Sequence, residues 1–161
     1  MTTLTTPLKR QVLDDQPQQQ TVELLQNSLV NLVDLALILK QAHWNVIGKN
    51  FRSIHLQLDE IIATVRDGSD EVAERIAALG LPADGRSGTV ASNSDLADYP
   101  RDFQQVDDTI SLVADALKTT IDGLRGAIDK LGDIDPVSED LCIAITGPLE
   151  KHLWMVQAQE S

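Results

Sequence analysis

From Asn50 to Gly80 the chain contains no proline, and Ile54, Leu58, Ile61, Ile62, Val65, Val72, Ile76 and Leu79 recur at helical spacing. Such a run predicts one helix of about thirty residues, roughly 45 Å long at 1.5 Å per residue. Asn50 stands where an N-cap belongs and Gly80 where a C′ glycine belongs. Gly68, near the middle, costs on the order of 1 kcal/mol relative to alanine, so packing against other elements must hold the helix there.

The polar residues of this helix are as ordered as the apolar ones. At about 100° per residue, His55, Asp59, Asp70 and Glu74 fall near 0°, 40°, 60° and 100°, on one stripe. His55/Asp59 and Asp70/Glu74 each have the i,i+4 spacing that lets two side chains reach one ion. Eleven positions separate Asp59 from Asp70, roughly 16 Å of rise, whereas metal–ligand distances are only about 2.0–2.6 Å. One helix therefore cannot close a single site with all four. A two-fold axis near Thr64 and Val65 can, because an antiparallel second copy sets Asp70/Glu74 of one chain opposite His55/Asp59 of the other. Such a dimer carries two equivalent sites about 20 Å apart. His43, joined by the turn around Gly48, can fold back beside His55. The set is then His43, His55 and Asp59 from one subunit with Asp70 and Glu74 from its partner. Imidazole plus carboxylate, without thiolate, suits iron, manganese or zinc.

The rest of the chain supplies the helices this one needs. Residues 1–16, rich in Thr, Gln and Asp and containing Pro7, read as a flexible tail, and residues 17–161 as one domain. A first helix from Pro17 to about Val46 carries Val22, Leu25, Leu29, Leu32, Val33, Ala36, Leu39 and Ala42 as its apolar stripe. From Leu81 to about Arg101, Pro82, Gly85, Gly88 and Pro100 break the pattern. So long a connection needs structure of its own, and Ser94-Asp-Leu-Ala-Asp can start a short helix within it. A third long helix is expected from about Asp102 to Leu131. A fourth starts at Asp135-Pro136, as N-cap and N1, and reaches about Gln159, with Gly147-Pro148 as a weak point. The class is all-α, a ferritin-like four-helix bundle with one long crossover. Trp154 reads as core or interface, and Trp44 as core on general grounds. His152 lacks a carboxylate at i−4 and reads as a hydrogen-bonded histidine, while Cys142, in an apolar run, reads as inertly buried.

HWNV, then a glycine, NF, a histidine twelve residues after the first, an aspartate four later, and D-x-x-x-E followed by R together resemble the ferroxidase region of the Dps proteins, the miniferritins. The resemblance extends over nearly the whole chain. It implies a hollow homo-dodecamer built from two-fold dimers, intersubunit sites that oxidise Fe(II), preferentially with hydrogen peroxide, and storage of the ferric product. It marks His43, His55, Asp59, Asp70 and Glu74 as the iron-binding and catalytic residues, and sets Lys40 and Trp44 near the site. It also implies acidic pores at the start of the fourth helix, where Asp140 is the best candidate, followed by Glu139 and Asp135. No Glu stands three residues before His43, His55 or His152, so the Glu-x-x-His motifs of ordinary di-iron bundles are lacking.

Charge and composition narrow the alternatives. A formal charge of −12, with 13 Lys and Arg, argues against a surface made for phosphates, and neither end of the chain is lysine-rich. Nucleoid DNA binding is thus an alternative reading with little behind it in the sequence. A metal-dependent amide or ester hydrolase on the same intersubunit site is a second alternative, since such a metal lowers the pKa of bound water. No apolar segment is expected to approach a membrane span. The N-terminus lacks the apolar core of a signal peptide, and one cysteine cannot make an intrachain disulfide. A cytoplasmic protein is the simplest expectation.

Overall fold

The computed structural model describes residues 6–160. Four long helices, α1 (Asp15–Asn45), α2 (Phe51–Ala78), α4 (Val106–Leu131) and α5 (Pro136–Gln157), are joined by a crossover that holds the short α3 (Ser87–Asn93). Two-residue strands β1 (Val46–Ile47) and β2 (Gln104–Gln105) pair in parallel, Val46 with Gln104 and Ile47 with Gln105. This bridge sets the end of α1 beside the start of α4. Because α2 leaves from that same end, the chain after it must travel back the full length of the bundle, about 42 Å.

Amide side chains of α1 receive that returning strand of chain. Gln26 takes both backbone groups of Asp84, at 2.7 and 2.9 Å; Asn31 pairs with the Asp95 carboxylate and backbone N–H, each at 3.0 Å; Gln41 donates to the Arg101 carbonyl at 3.3 Å. Each pairing gives a loop polar group a side-chain partner on α1 and so ties the crossover to the bundle. The core lies between α1, α2, α4 and α5, with Leu25, Leu32, Leu39, Leu58, Ile61, Ile76, Leu117, Leu124 and Leu149 fully enclosed. Gly68 explains itself here: a Cβ on it would come within 3.1 Å of Ile145 Cγ2, so its bare backbone lets α2 and α5 approach closely. At the far end, Gly80 N–H bonds to the Ala77 carbonyl and Leu81 N–H to the Ile76 carbonyl, closing α2 in a Schellman turn.

Several boundaries differ from expectation for local reasons. The short crossover helix lies at Ser87–Asn93 and ends at Ser94, where a start was expected. Asp84 supplies the start instead, accepting from Arg86 N–H and Thr89 Oγ1, while Asp95 is already engaged by Asn31. α4 begins at Val106 rather than Asp102, because Gln104 and Gln105 are extended in the bridge to β1. Asn50 does precede α2, but with φ +64° and no side-chain cap, so it serves the turn rather than the helix amides. α1 begins at Asp15, inside the segment assigned to the tail; of that segment, residues 1–5 lie outside the described residues, and Leu13 packs on the core. α5 continues through Pro148, which has no N–H to offer the turn before it.

Both tryptophans are exposed, Trp44 by 65% and Trp154 by 61%, so neither belongs to the core of the single chain. The expectation that no segment approaches a membrane span is also corrected, since α1 contains an eighteen-residue window of mean hydropathy 1.5. That stretch of α1 includes the charged Glu23 and Asp34, and 61% of the window is buried inside the bundle, as befits a core helix. Cys142 is fully buried, and burial pushes its thiol up to about 11.

Candidate metal centre

The turn between α1 and α2 is tight because two of its residues adopt left-handed backbone, Gly48 at φ +113° and Asn50 at +64°. A Cβ on Gly48 would also strike the Gln105 side chain, 2.7 Å away. This turn folds His43, in the last turn of α1, against His55, in the second turn of α2. Their rings stack with centroids 3.6 Å apart and 21° between planes. The stack is locked reciprocally: His43 Nδ1 donates to the His55 carbonyl at 2.7 Å, and His55 Nδ1 to the His43 carbonyl at 2.8 Å. A carbonyl only accepts, so both rings carry their proton on Nδ1 and keep the Nε2 lone pair for an electrophile. That is the tautomer and the backbone support typical of metal-ligating histidines. Phe51, 6.1 Å from the His55 ring and tilted 59°, borders the pair.

Asp59 lies one turn further along α2. Its Oδ1 is 2.7 Å from Lys40 Nζ and 3.5 Å from His43 Nδ1. The hydrogen bond from Lys40 holds the Asp59 carboxyl below its ordinary value, with His43 and His55 contributing less. Lys40, one turn before His43 on α1, is therefore beside the candidate ligands, whereas the Trp44 side chain is exposed on the same stretch. Asp70 and Glu74 are exposed on the other half of α2, and no ion pair among the described residues involves either. Among the described residues of one chain, no three His, Cys, Asp or Glu side chains converge closely enough to hold a metal. The five candidates thus fall into two groups, buried His43 with part-buried His55 and exposed Asp59 where α1 meets the start of α2, and Asp70 with Glu74 on the exposed second half of α2.

The acidic residues at the start of α5 separate in the same way. Asp135 is only 3% exposed; Arg75 Nη2 donates to it at 2.8 Å, and the Ser138 hydroxyl bonds to the same oxygen. Burial pushes this carboxyl up, but Ser138 and Arg75 outweigh it and hold Asp135 below the ordinary carboxylate value. Arg75 Nε also donates to Ser138 Oγ at 2.9 Å, which completes a clamp between the end of α2 and the start of α5. This corrects the assignment of Asp135 to a pore, for its charge faces Arg75 rather than solvent. Glu139 is partly exposed beside Gly132, and Asp140 is exposed. The clamp has no local signature in the sequence, since its partners are 60 positions apart and Asp135-Pro136 already reads as a helix start. The reciprocal histidine lock was equally hidden, because it uses backbone carbonyls.

A four-helix bundle with an end-to-end crossover and a histidine–carboxylate face defines a ferritin-like architecture, and the sequence-family description "Ferritin-like domain" matches residues 22–160. The chain is 40% identical over 136 residues to the fine tangled pili major subunit of Haemophilus ducreyi, covering 84% of this chain and 72% of that one. It is 39% identical over 146 residues to the DNA protection during starvation protein of Mycolicibacterium smegmatis, covering 91% and 80%. The structure of Dps from Microbacterium arborescens in its high iron form superposes with a TM-score of 0.87 at 35% identity, over 92% of this chain and 97% of that one. The chain belongs to the Dps family of miniferritins.

Proposed function

We propose that this protein oxidises Fe(II) and stores the ferric product, with His43, His55 and Asp59 of one subunit and Asp70 and Glu74 of a two-fold partner holding the iron. The observation that carries this reading is the reciprocal lock, which leaves Nε2 of both imidazoles unprotonated, with the exposed Asp59 carboxylate one turn away and 3.5 Å from His43 Nδ1. Family membership supports iron as the metal, as does the high iron form of the Microbacterium arborescens relative. Hydrogen peroxide is the proposed oxidant. Two Fe(II) each give up one electron to one peroxide; its O–O bond breaks, and with two waters the products are two FeOOH and four protons. Pairing the electrons avoids the one-electron product, hydroxyl radical.

The assembly we propose is a hollow dodecamer of two-fold dimers in the cytoplasm, and native mass together with iron content tests it. The mycobacterial relative's name speaks of DNA protection. Here the charge of −12 favours protection by removing iron and peroxide over tight DNA binding; a low-salt gel shift with high affinity would reverse that. The direct test of the iron reading is His55→Ala combined with Asp59→Ala. Peroxide-driven oxidation in well-assembled particles should fall to the rate of free Fe(II), and an unchanged rate would sink the assignment.

A further inference from the structure

His152 has no part in the iron site, yet its surroundings are specific. It projects from α5 onto α2, where its Nε2 lies 2.9 Å from Thr64 Oγ1. The Thr64 hydroxyl has one proton and gives it to the Glu60 carbonyl, 3.3 Å away, so it accepts from His152 Nε2–H. His152 Nδ1 is then a bare acceptor, buried and with no partner among the described residues. Protonation would turn it into a charged donor facing no acceptor, a costly arrangement in a dry contact. The charged groups that bear on the ring are Glu60 of α2, which favours the cation, and Lys151 of α5, which opposes it; burial exceeds both and lowers the pKa from its ordinary value.

Just before His152 the helix has its weakest joint. Pro148 withdraws one helical hydrogen bond, and Gly147 has open space where a side chain would lie. Beyond that joint the end of α5 is held by buried Leu149 and Val156 and part-buried Leu153, by the Arg125–Glu150 ion pair to α4, by an exposed bond from Gln159 to Gln57, and by the His152–Thr64 contact. Trp154 contributes little to the bundle, being mostly exposed.

We propose that His152 is an acid-released latch that holds the end of α5, beyond Gly147-Pro148, against α2. The sign follows from the disfavoured cation. With the segment detached, the ring recovers an ordinary affinity for protons, near pKa 6.5; docked, it binds them less readily. Opening is therefore promoted as pH falls below about 6.5, and the contact is at full strength above it. The device is independent of the iron chemistry.

Hydrogen–deuterium exchange of the assembled protein, corrected for the intrinsic pH dependence of exchange, reads the latch directly. Between about pH 7.5 and about pH 5.5, exchange across Leu149–Gln157 should rise several-fold, and by no more than about tenfold per pH unit, the limit for one proton. The part of α5 before Gly147 should stay protected. In His152→Gln an amide still reaches Thr64 but does not titrate, so the rise should vanish. A flat wild-type response, or an equal rise in His152→Gln, would overturn the proposal. Thr64→Val supplies a second arm if the glutamine variant fails to assemble: it should loosen the same segment already at neutral pH, and unchanged protection there counts against the latch.

Discussion

The two halves of α2 carry similar ligand chemistry in opposite mechanical states. At its start, His55 and Asp59 are braced by α1: the rings of His43 and His55 lock each other through backbone carbonyls, and Lys40 holds Asp59. In its second half, Asp70 and Glu74 stand in solvent, while the neighbouring Arg75 turns inward to clamp Asp135. One half arrives pre-organised and the other waits for something to cover it. Exposed carboxylates need no partner, so such a division costs the single chain little, and in the proposed dimer the full ligand set would form only when two subunits meet.

The largest test of that contrast is a mixing experiment. Subunits lacking the braced half, His55→Ala with Asp59→Ala, should be inactive, as should subunits lacking the open half, Asp70→Ala with Glu74→Ala. Reassembled at equal amounts, half of the dimers are mixed, and each mixed dimer restores one of its two sites. About a quarter of wild-type peroxide-driven oxidation should therefore return. Failure to recover any activity, in particles of correct mass, would mean that the two halves do not meet across subunits.

How far the sequence discloses this molecule differs between its two halves as well. Helical periodicity, the i,i+4 pairs and the turn at Gly48 make the four helices and the five candidate ligands legible, because each of these signals is local. What stays hidden depends on contacts between distant residues or on backbone atoms. Gln26, Asn31 and Gln41 read as ordinary polar positions in an apolar helix until the crossover is laid along them. Asp135 carries a sufficient local explanation as a helix start, which masks its partnership with Arg75. Gly68 reads as a weakness until Ile145 is seen against it. Trp44 and Trp154 mislead in the opposite direction, for large apolar residues suggest core in a single chain whatever they meet in an assembly.

An intermediate effect sharpens the contrast at the clamp. Arg75→Ala leaves the Asp135 carboxylate buried without its cation, and thermal unfolding should show a loss of about 3 kcal/mol, as for other broken buried pairs. The wild-type advantage has a defined pH range. Because the folded Asp135 carboxyl lies below its ordinary value, its contribution is present above about pH 4 and is lost as pH falls below that. Asp135→Asn should therefore differ most from wild type at neutral pH and least in acid; a constant difference would assign the stability to packing alone.

The smallest expected effect concerns the charge left over when Asp135 is withdrawn. Asp140 lies on the exposed side of α5, one turn inside the helix, and the ordinary role for such a carboxylate is to favour the positive end of the helix, a contribution of about 0.3–1 kcal/mol. In the proposed dodecamer it would instead be repeated around a three-fold axis, and a ring of three carboxylates focuses enough potential to draw in a divalent cation. The two roles differ in their dependence on salt. Attraction of Fe(II) from a distance is screened over about 10 Å at 0.1 M salt and about 3 Å at 1 M, whereas the helix-end term changes stability and leaves uptake alone. Asp140→Asn should thus slow iron uptake several-fold at low ferrous concentration and low salt, with the difference shrinking as salt rises, while native mass is unchanged. If uptake by intact particles does not change, Asp140 serves the helix end and iron enters elsewhere.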